Sequence, residues 1–483
     1  MNISVDAPRQ GIAQSPHVGF QDCRNLDIYT TPGVAKLNNI LAKKSVAVVD
    51  AFVKWIVRDP DTVANIFALD SNGVLYKSAD TGATWAEVSN RLGVGQGLMV
   101  KWGYVFVACI TTIDVVKISD SSITTGWQTI DSDTLWHPMI VSKNDGKIYG
   151  GAGKYIFSIE QDTTFVPATA ATYTFTQKDL DLPDNYRIKC LAELGNNLMV
   201  GTWQGTNIYD FKIADIFPWD RVSPSFNQPV QISENGINAM INIGNQLFIM
   251  AGIEGKVYRS DGYNAVQIAQ IPQTIASLDA GLYLEPYPGA IMSYKGRLWF
   301  GVSGSGANGG CGVYSLTQTS RGNILNFENE ISTENMGATI TKVGALLSLT
   351  RDAYLCSWRS NTIYGIDKIT NNAFNYTTAY QGYFITPFYR TGSTLQPFKF
   401  KELEFRFAKP LAANEGIKIE YRINLYDSFT TIGTYDFDTH GAILSKNIIT
   451  ELPTNIKVCE QLQLKISLTG TTTTPHFTNL TLK

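Results

Sequence analysis

Short apolar stretches of six or seven residues, broken by turn residues, recur through the middle of the chain. The pattern is clearest at Gly236–Gly262. There Ile237–Ile243, Gln246–Ala251 and Gly255–Ser260 read as three strands, bounded by Gly244-Asn245 and by Gly252 to Gly255. Strands this short cannot bury their apolar faces alone, so the unit needs copies of itself. With Leu247 as the mid-strand marker, counterparts fall at Ile66, Val105, Ile148, Leu198, Leu298 and Leu355. The third-strand aromatic Tyr258 returns as Tyr76, Phe157, Tyr209, Tyr314 and Tyr364, with Val116 standing in once. The mid-strand markers are spaced by about 39 to 57 residues, the range of one four-stranded blade. Stacked radially, such units cover both faces of every sheet and leave only short edges. The pattern predicts an all-β chain with a seven-bladed β-propeller over 46–370. Six or eight blades are alternative counts, because the outermost strands are weakly marked.

Beyond Phe398 the period changes. Leu403–Phe407 and Ile417–Ile423 alternate strictly, which indicates antiparallel sheets with one packed and one wet face. Further segments of this kind run to the C-terminus and predict a jelly-roll-like β-sandwich over 398–483. The aromatic-rich stretch 371–397 reads as a linker. Residues 1–45, punctuated by Pro8, Pro16, Pro32 and Gly33, read as an extended arm. Part of that arm is expected to complete the last blade and the rest to lie on a neighbouring subunit. Asp162–Asn185 reads as an insertion, with Phe217-Pro218-Trp219 following the fourth blade. The glycines of Gly301–Gly312 lack the Lys-Ser/Thr and helix of a nucleotide loop, and read as a long hairpin connection.

Composition narrows the chemistry. Only 17% of residues are charged, so surface polarity must come from Thr, Asn, Ser and Gln. Net charge is −3 with no Lys/Arg cluster, which gives no case for specific nucleic-acid binding. The six cysteines are scattered without CxxC spacing and read as free structural thiols. His17, His137, His440 and His476 lie far apart, so neither a metal nor a cofactor is expected. The N-terminus carries no secretory signal, and no apolar run is long enough to span a membrane, so synthesis in a reducing cytoplasm is expected.

Two local motifs stand out. Ser78-Ala79-Asp80-Thr81-Gly82-Ala83-Thr84-Trp85 fits S-x-D-x-G-x-T-W, and resembles the Asp box of sialidase-like propellers. Its physics is that of a turn: Asp80 accepts backbone N–H groups, Gly82 takes positive φ, and Trp85 packs between sheets, with Ser78 and Thr84 completing the motif. The second motif is Asn25-Leu26-Asp27-Ile28, followed by Pro32-Gly33-Val34. With the order of arm, propeller and small β domain, it resembles tailed-bacteriophage virion propeller proteins of the tail nozzle or hub type.

That resemblance implies a structural virion component in the phage tail, made in the host cytoplasm. Such a protein acts in DNA delivery or host attachment without catalysis, as a homo-oligomeric ring beside other tail proteins. A glycan-binding, receptor-recognising propeller is the alternative, with a host-surface glycan as partner. A sialidase-like glycoside hydrolase is a third reading. It would need an arginine cluster, drawn from Arg58, Arg187, Arg259, Arg297, Arg351 and Arg359, and only one full Asp box is present.

Overall fold

A computed structural model describes residues 3–6, 22–31, 33–44, 51–89, 92–161, 173–204, 214–271, 284–304, 311–319, 322–329, 341–360, 362–375, 382–390, 398–424, 427–440, 447–451, 458–459 and 461–483. The chain is all-β and forms a β-propeller. Among the described residues the one helical element is the turn Phe437–His440.

Six four-stranded antiparallel sheets stand as separate blades. Five follow in sequence at 53–89, 95–129, 139–181, 186–232 and 237–270. The sixth joins Thr341–Thr350, Ala353–Ser360 and Ile363–Ile369 to Leu41–Lys43 from the arm, which pairs through Ile369↔Leu41 and Asp367↔Lys43. The arm therefore completes the last blade, as the sequence suggested. The expected unit around Leu298 and Tyr314 is a four-strand meander, Ile291–Tyr294, Arg297–Gly304, Gly312–Thr319 and Gly322–Asn329. It does not stand alone, but opens an eleven-stranded sheet.

The first strand of each unit packs against the first strands of its neighbours, around a common axis. A bulge recurs in these strands, between Val53 and Trp55, Gly95 and Gly97, Ile188 and Cys190, Ile237 and Ala239, and Val343 and Ala345. Each bulge kinks the strand and turns one residue out of the ladder. Consecutive sheets are held face to face by apolar clusters. Phe67, Leu69, Val105 and Val107 join the first two blades, and Ile66, Tyr76, Leu355 and Ile366 join the first and the last.

The C-terminal residues form two sheets with one shared core that includes Phe405, Ile417, Leu464, Phe477 and Leu480. One sheet is Ile3–Asp6, Phe477–Leu482, Glu402–Phe407 and Asn447–Glu451. The other contains Gly382–Ile385, Gln461–Thr469, Gly416–Arg422 and Thr430–Asp436, and is continuous with the propeller meander.

Several boundaries differ from those read off the sequence. The 371–397 stretch is not simply a linker, because Gly382–Ile385 and Tyr389–Arg390 both pair with Gln461–Thr469. Residues 173–181, read as insertion, are the outer strand of the third blade. Tyr173 and Phe175 pack on the core, but the exposed run Thr176–Lys178 interrupts the apolar alternation. Phe217-Pro218-Trp219 lies within the third strand of the fourth blade. Tyr209, the marker chosen for that strand, falls outside the described residues, as do Pro32 and 305–310.

Candidate functional site

The Asp box forms a closed hydrogen-bonded turn. Asp80 Oδ1 accepts from the amides of Ala83 at 2.9 Å and Thr84 at 2.8 Å, and Oδ2 accepts from the Thr84 hydroxyl at 2.6 Å. Ser78 donates to Asp80 at 2.8 Å and accepts from the Gly82 amide at 2.8 Å. Gly82 has φ +78°, and a Cβ there would meet the Leu355 side chain of the last blade. Trp85 is buried in the cluster between first and last blades, and Lys368 donates to the Thr81 carbonyl at 2.8 Å. The motif is thus a clasp at the ring closure.

Burial pushes the Asp80 carboxyl up, but the bonds from Thr84, Ser78 and Ala83 outweigh it and lower it to about 2. A carboxyl held below its ordinary 3.8 contributes stability above that pH, and the contribution is lost as pH falls through about 2. Asp80→Ala is expected to cost about 1 kcal/mol, the scale of a lost capping side chain. Its midpoint difference from the unmodified chain should shrink between pH 4 and pH 2, which denaturant titration at the two pH values checks.

The arm motif forms a second junction. Asp22–Arg24 pairs antiparallel with Tyr383–Ile385 and meets Phe327 of the meander in parallel, so it lies between propeller and C-terminal sheet. Asn25 is buried with φ +57°; its amide donates to the Phe327 carbonyl at 3.0 Å and its carbonyl accepts from Asn38 at 2.9 Å. Leu26↔Leu37 and Asp27↔Lys36 form a short hairpin, and Leu26 and Ile28 are buried in the common core. Asp27 Oδ1 closes the turn by accepting from Tyr29 and Thr30, both at 3.0 Å. Burial raises the Asp27 carboxyl, but the bonds from Thr30 and Tyr29 with the Lys36 ammonium bring it below its ordinary value. Gly33 has φ +76°, which turns the chain towards Ala35, whose amide donates to Phe477 at 2.9 Å.

Glu328 is the polar hub of this junction. It is 1% exposed, and its carboxylate pairs with Arg297 at 3.1 Å and accepts from Asn38 at 2.7 Å and from the Ser315 hydroxyl. The Arg297 guanidinium lies 4.2 Å from the centre of the Tyr29 ring. The described arm residues 22–31 and 33–44 are therefore used within their own chain. The expectation that the arm beyond the last blade lies on a neighbour does not hold for them, because their amides and apolar side chains already have partners in the propeller and the C-terminal sheets.

A third cluster, which the sequence did not reveal, lies on the propeller axis. Lys54, Gln96, Lys189 and Asn238 occupy the bulges of four first strands, and Lys342 lies beside a fifth. Trp136 and Tyr287, from opposite sides of the ring, meet edge-on with centroids 5.3 Å apart. Lys54 and Lys189 each lie 5.4 Å from the Trp136 ring, and Lys342 lies 5.9 Å from Tyr287. Lys189 donates to Asn238 at 2.7 Å and pairs with Glu285 at 3.7 Å, while Lys54 donates to Gln96 at 3.1 Å. Burial lowers Lys54, assisted by the charge of Lys342. Burial also lowers Lys342, with Arg359 adding to it and Glu285 opposing.

Other candidate groups have local roles. His137 is buried between the second and third blades, its ring nitrogens 2.9 Å from the Gly151 carbonyl and 3.3 Å from that of Ile110. Arg58 donates to the Leu349 carbonyl at 2.7 Å, Arg187 faces Asp133 at 3.6 Å, and Arg297 serves the arm. Among the described residues no group of His, Cys, Asp and Glu is placed to hold a metal ion, and no helix is long and apolar enough to cross a membrane. All six cysteines are free and buried. Burial lifts the Cys109 thiol to about 12 and the Cys459 thiol to about 11. Thiolates are the reactive form. A thiol reagent at pH 8 should therefore label none of them in the native chain and all six after denaturation.

No family model and no curated protein matches the sequence. Solved structures do match in fold. YCF48 bound to a D1 peptide is 9% identical, with TM-score 0.44, over 72% of this chain and 98% of that one. The Cps50 (Swd1) β-propeller domain of Myceliophteria thermophila is 9% identical, with TM-score 0.44, over 68% and 99%. U3-55K is 10% identical, with TM-score 0.47, over 68% and 97%.

Proposed function

We propose that this chain is a non-catalytic structural component of a bacteriophage virion, a tail protein of the nozzle or hub type. The observation that carries the reading is the use made of the arm motif. Asn25, Leu26 and Ile28 are buried, and Asp27 half-buried, where propeller and C-terminal sheets meet, a placement suited to passing force between domains. We count the meander 291–329 as a seventh blade that is fused to its neighbour, and read the two C-terminal sheets as a β-sandwich. Val222, Tyr263 and Val266 are exposed apolar residues on the fourth and fifth blades, and suit contact with other tail proteins or with further copies of the chain.

A second reading, recognition of a host-surface glycan, is favoured by Trp136 and Tyr287 beside polar groups on the axis. Antibody labelling of purified particles, viewed by electron microscopy, separates the two. The structural reading expects label at one end of capsid-bearing particles. Unlabelled particles, with the chain free in the lysate, would contradict it.

A further inference from the structure

We propose that the axial lysine cluster binds a small molecule bearing an oxyanion, either a carboxylate or a phosphate group. Three ammonium groups, Lys54, Lys189 and Lys342, converge at the entry ends of the first strands and, among the described residues, face one carboxylate, Glu285. Glu285 lies nearest Lys189, whose side chain is only 7% exposed. Among the described residues the close contacts of Lys54 and Lys342 are neutral, the Gln96 amide oxygen and the Trp136 and Tyr287 rings, and the Glu285 charge is shared between Lys189 and Lys342.

Surplus positive charge removed from water is unfavourable unless an anion joins it. Elsewhere some partly buried lysines carry carboxylates, Lys256 having Glu234 and Glu254 and Lys154 having Asp181 and Asp184, while Lys101 and Lys368 each stand singly on a backbone carbonyl. The axial group differs in gathering three ammonium groups in one place. Lys54 and Lys342 also repel one another, and both are depressed by burial, as expected of cations whose counter-charge has yet to arrive.

The geometry also limits ligand size. Trp136 and Tyr287 meet across the axis, and Phe52 packs edge-on against Tyr287 at 5.4 Å, so aromatic rings cross the channel beside the lysines. A strand or polymer threading the axis does not fit this arrangement; a compact anion on the aromatic floor does. Ammonium groups on flexible stems can converge on either a tetrahedral or a planar oxyanion.

Calorimetry of the full chain in an anion-poor buffer tests the site with inorganic phosphate, D-glucuronate and, as neutral control, D-glucose. Saturable binding of phosphate, glucuronate or both is expected, with none of glucose, and the stronger anion identifies the ligand's source. Lys54→Gln/Lys342→Gln should weaken that binding at least tenfold. In anion-free buffer it should melt no lower than the unmodified chain, because the mutual repulsion is gone. Lys342→Gln alone gives the same readout should the double variant fail to fold. Absence of binding by both anions, equal binding of glucose, or unchanged affinity in the variants would overturn the proposal.

Discussion

Glu328→Ala lowers the unfolding free energy by about 3 kcal/mol, because it strands a buried guanidinium. Arg297, 11% exposed at its side chain, has Glu328 as its ionic partner at 3.1 Å. Removing the carboxylate also takes an acceptor from the Ser315 hydroxyl and from the Asn38 amide, which keeps its 3.0 Å bond to the Glu328 carbonyl. These losses fall where the arm crosses from the propeller to the C-terminal sheets. Glu328→Gln keeps the shape and part of the hydrogen bonding, so its cost should be smaller. Denaturant titration of both variants checks the order. Equal stability of Glu328→Ala and the unmodified chain would mean that the arm contributes nothing to the junction.

Gly344→Ala is expected to cost about 3 kcal/mol, at the upper end for overpacking. Gly344 lies in the first strand of the last blade, and a Cβ there would stand 2.0 Å from the Val53 carbonyl oxygen of the first blade and 2.9 Å from the Phe52 ring. A backbone oxygen held in a sheet cannot swing aside as a flexible side chain can. The two blades must therefore separate at the ring closure, at the end of the inner strands away from the Asp box. Gly103→Ala is the matching control. Its φ is +77° with nothing within 4 Å of a new Cβ, so only backbone strain of about 1 kcal/mol applies. A Gly344→Ala midpoint no lower than that of Gly103→Ala would place the blades further apart than described.

The inner strands were legible because burial imposes their pattern. Gln246–Ala251 and Tyr104–Cys109 are almost wholly buried and read as apolar runs. Glu402–Phe407 and Gly416–Arg422 showed their alternation directly, each having one packed and one wetter face. Outer strands such as Ile123–Thr129 and Tyr173–Asp181 are mostly solvated, and the apolar period disappears with the core contact. Phe217-Pro218-Trp219 reads as following the fourth blade, whereas Pro218 lies inside its third strand, where proline is disfavoured.

The arm was legible only where it closes the last blade. That Asp22–Arg24 would lie between Phe327 and Tyr383–Ile385 depends on partners some three hundred positions away, which no local pattern reveals. The hydrogen bonds within Ser78–Thr84 are local and follow from the motif, whereas its contacts with Leu355 and Lys368 of the last blade are not local. The axial lysines were not. A single lysine in an apolar strand reads as a solvated residue, and only closure of the ring brings Lys54 and Lys342 together.

Amide hydrogen exchange of the unmodified chain is the most direct test that the arm is an integral part of the fold. The amides of Ala42, Lys44 and Asn25, which point at the last blade and at Phe327, should exchange as slowly as the ladder amides of Ile363–Ile369 in the same blade. Exchange of the arm within seconds, with the blade still protected, would show the closing strand to be a loose tail and would contradict the account.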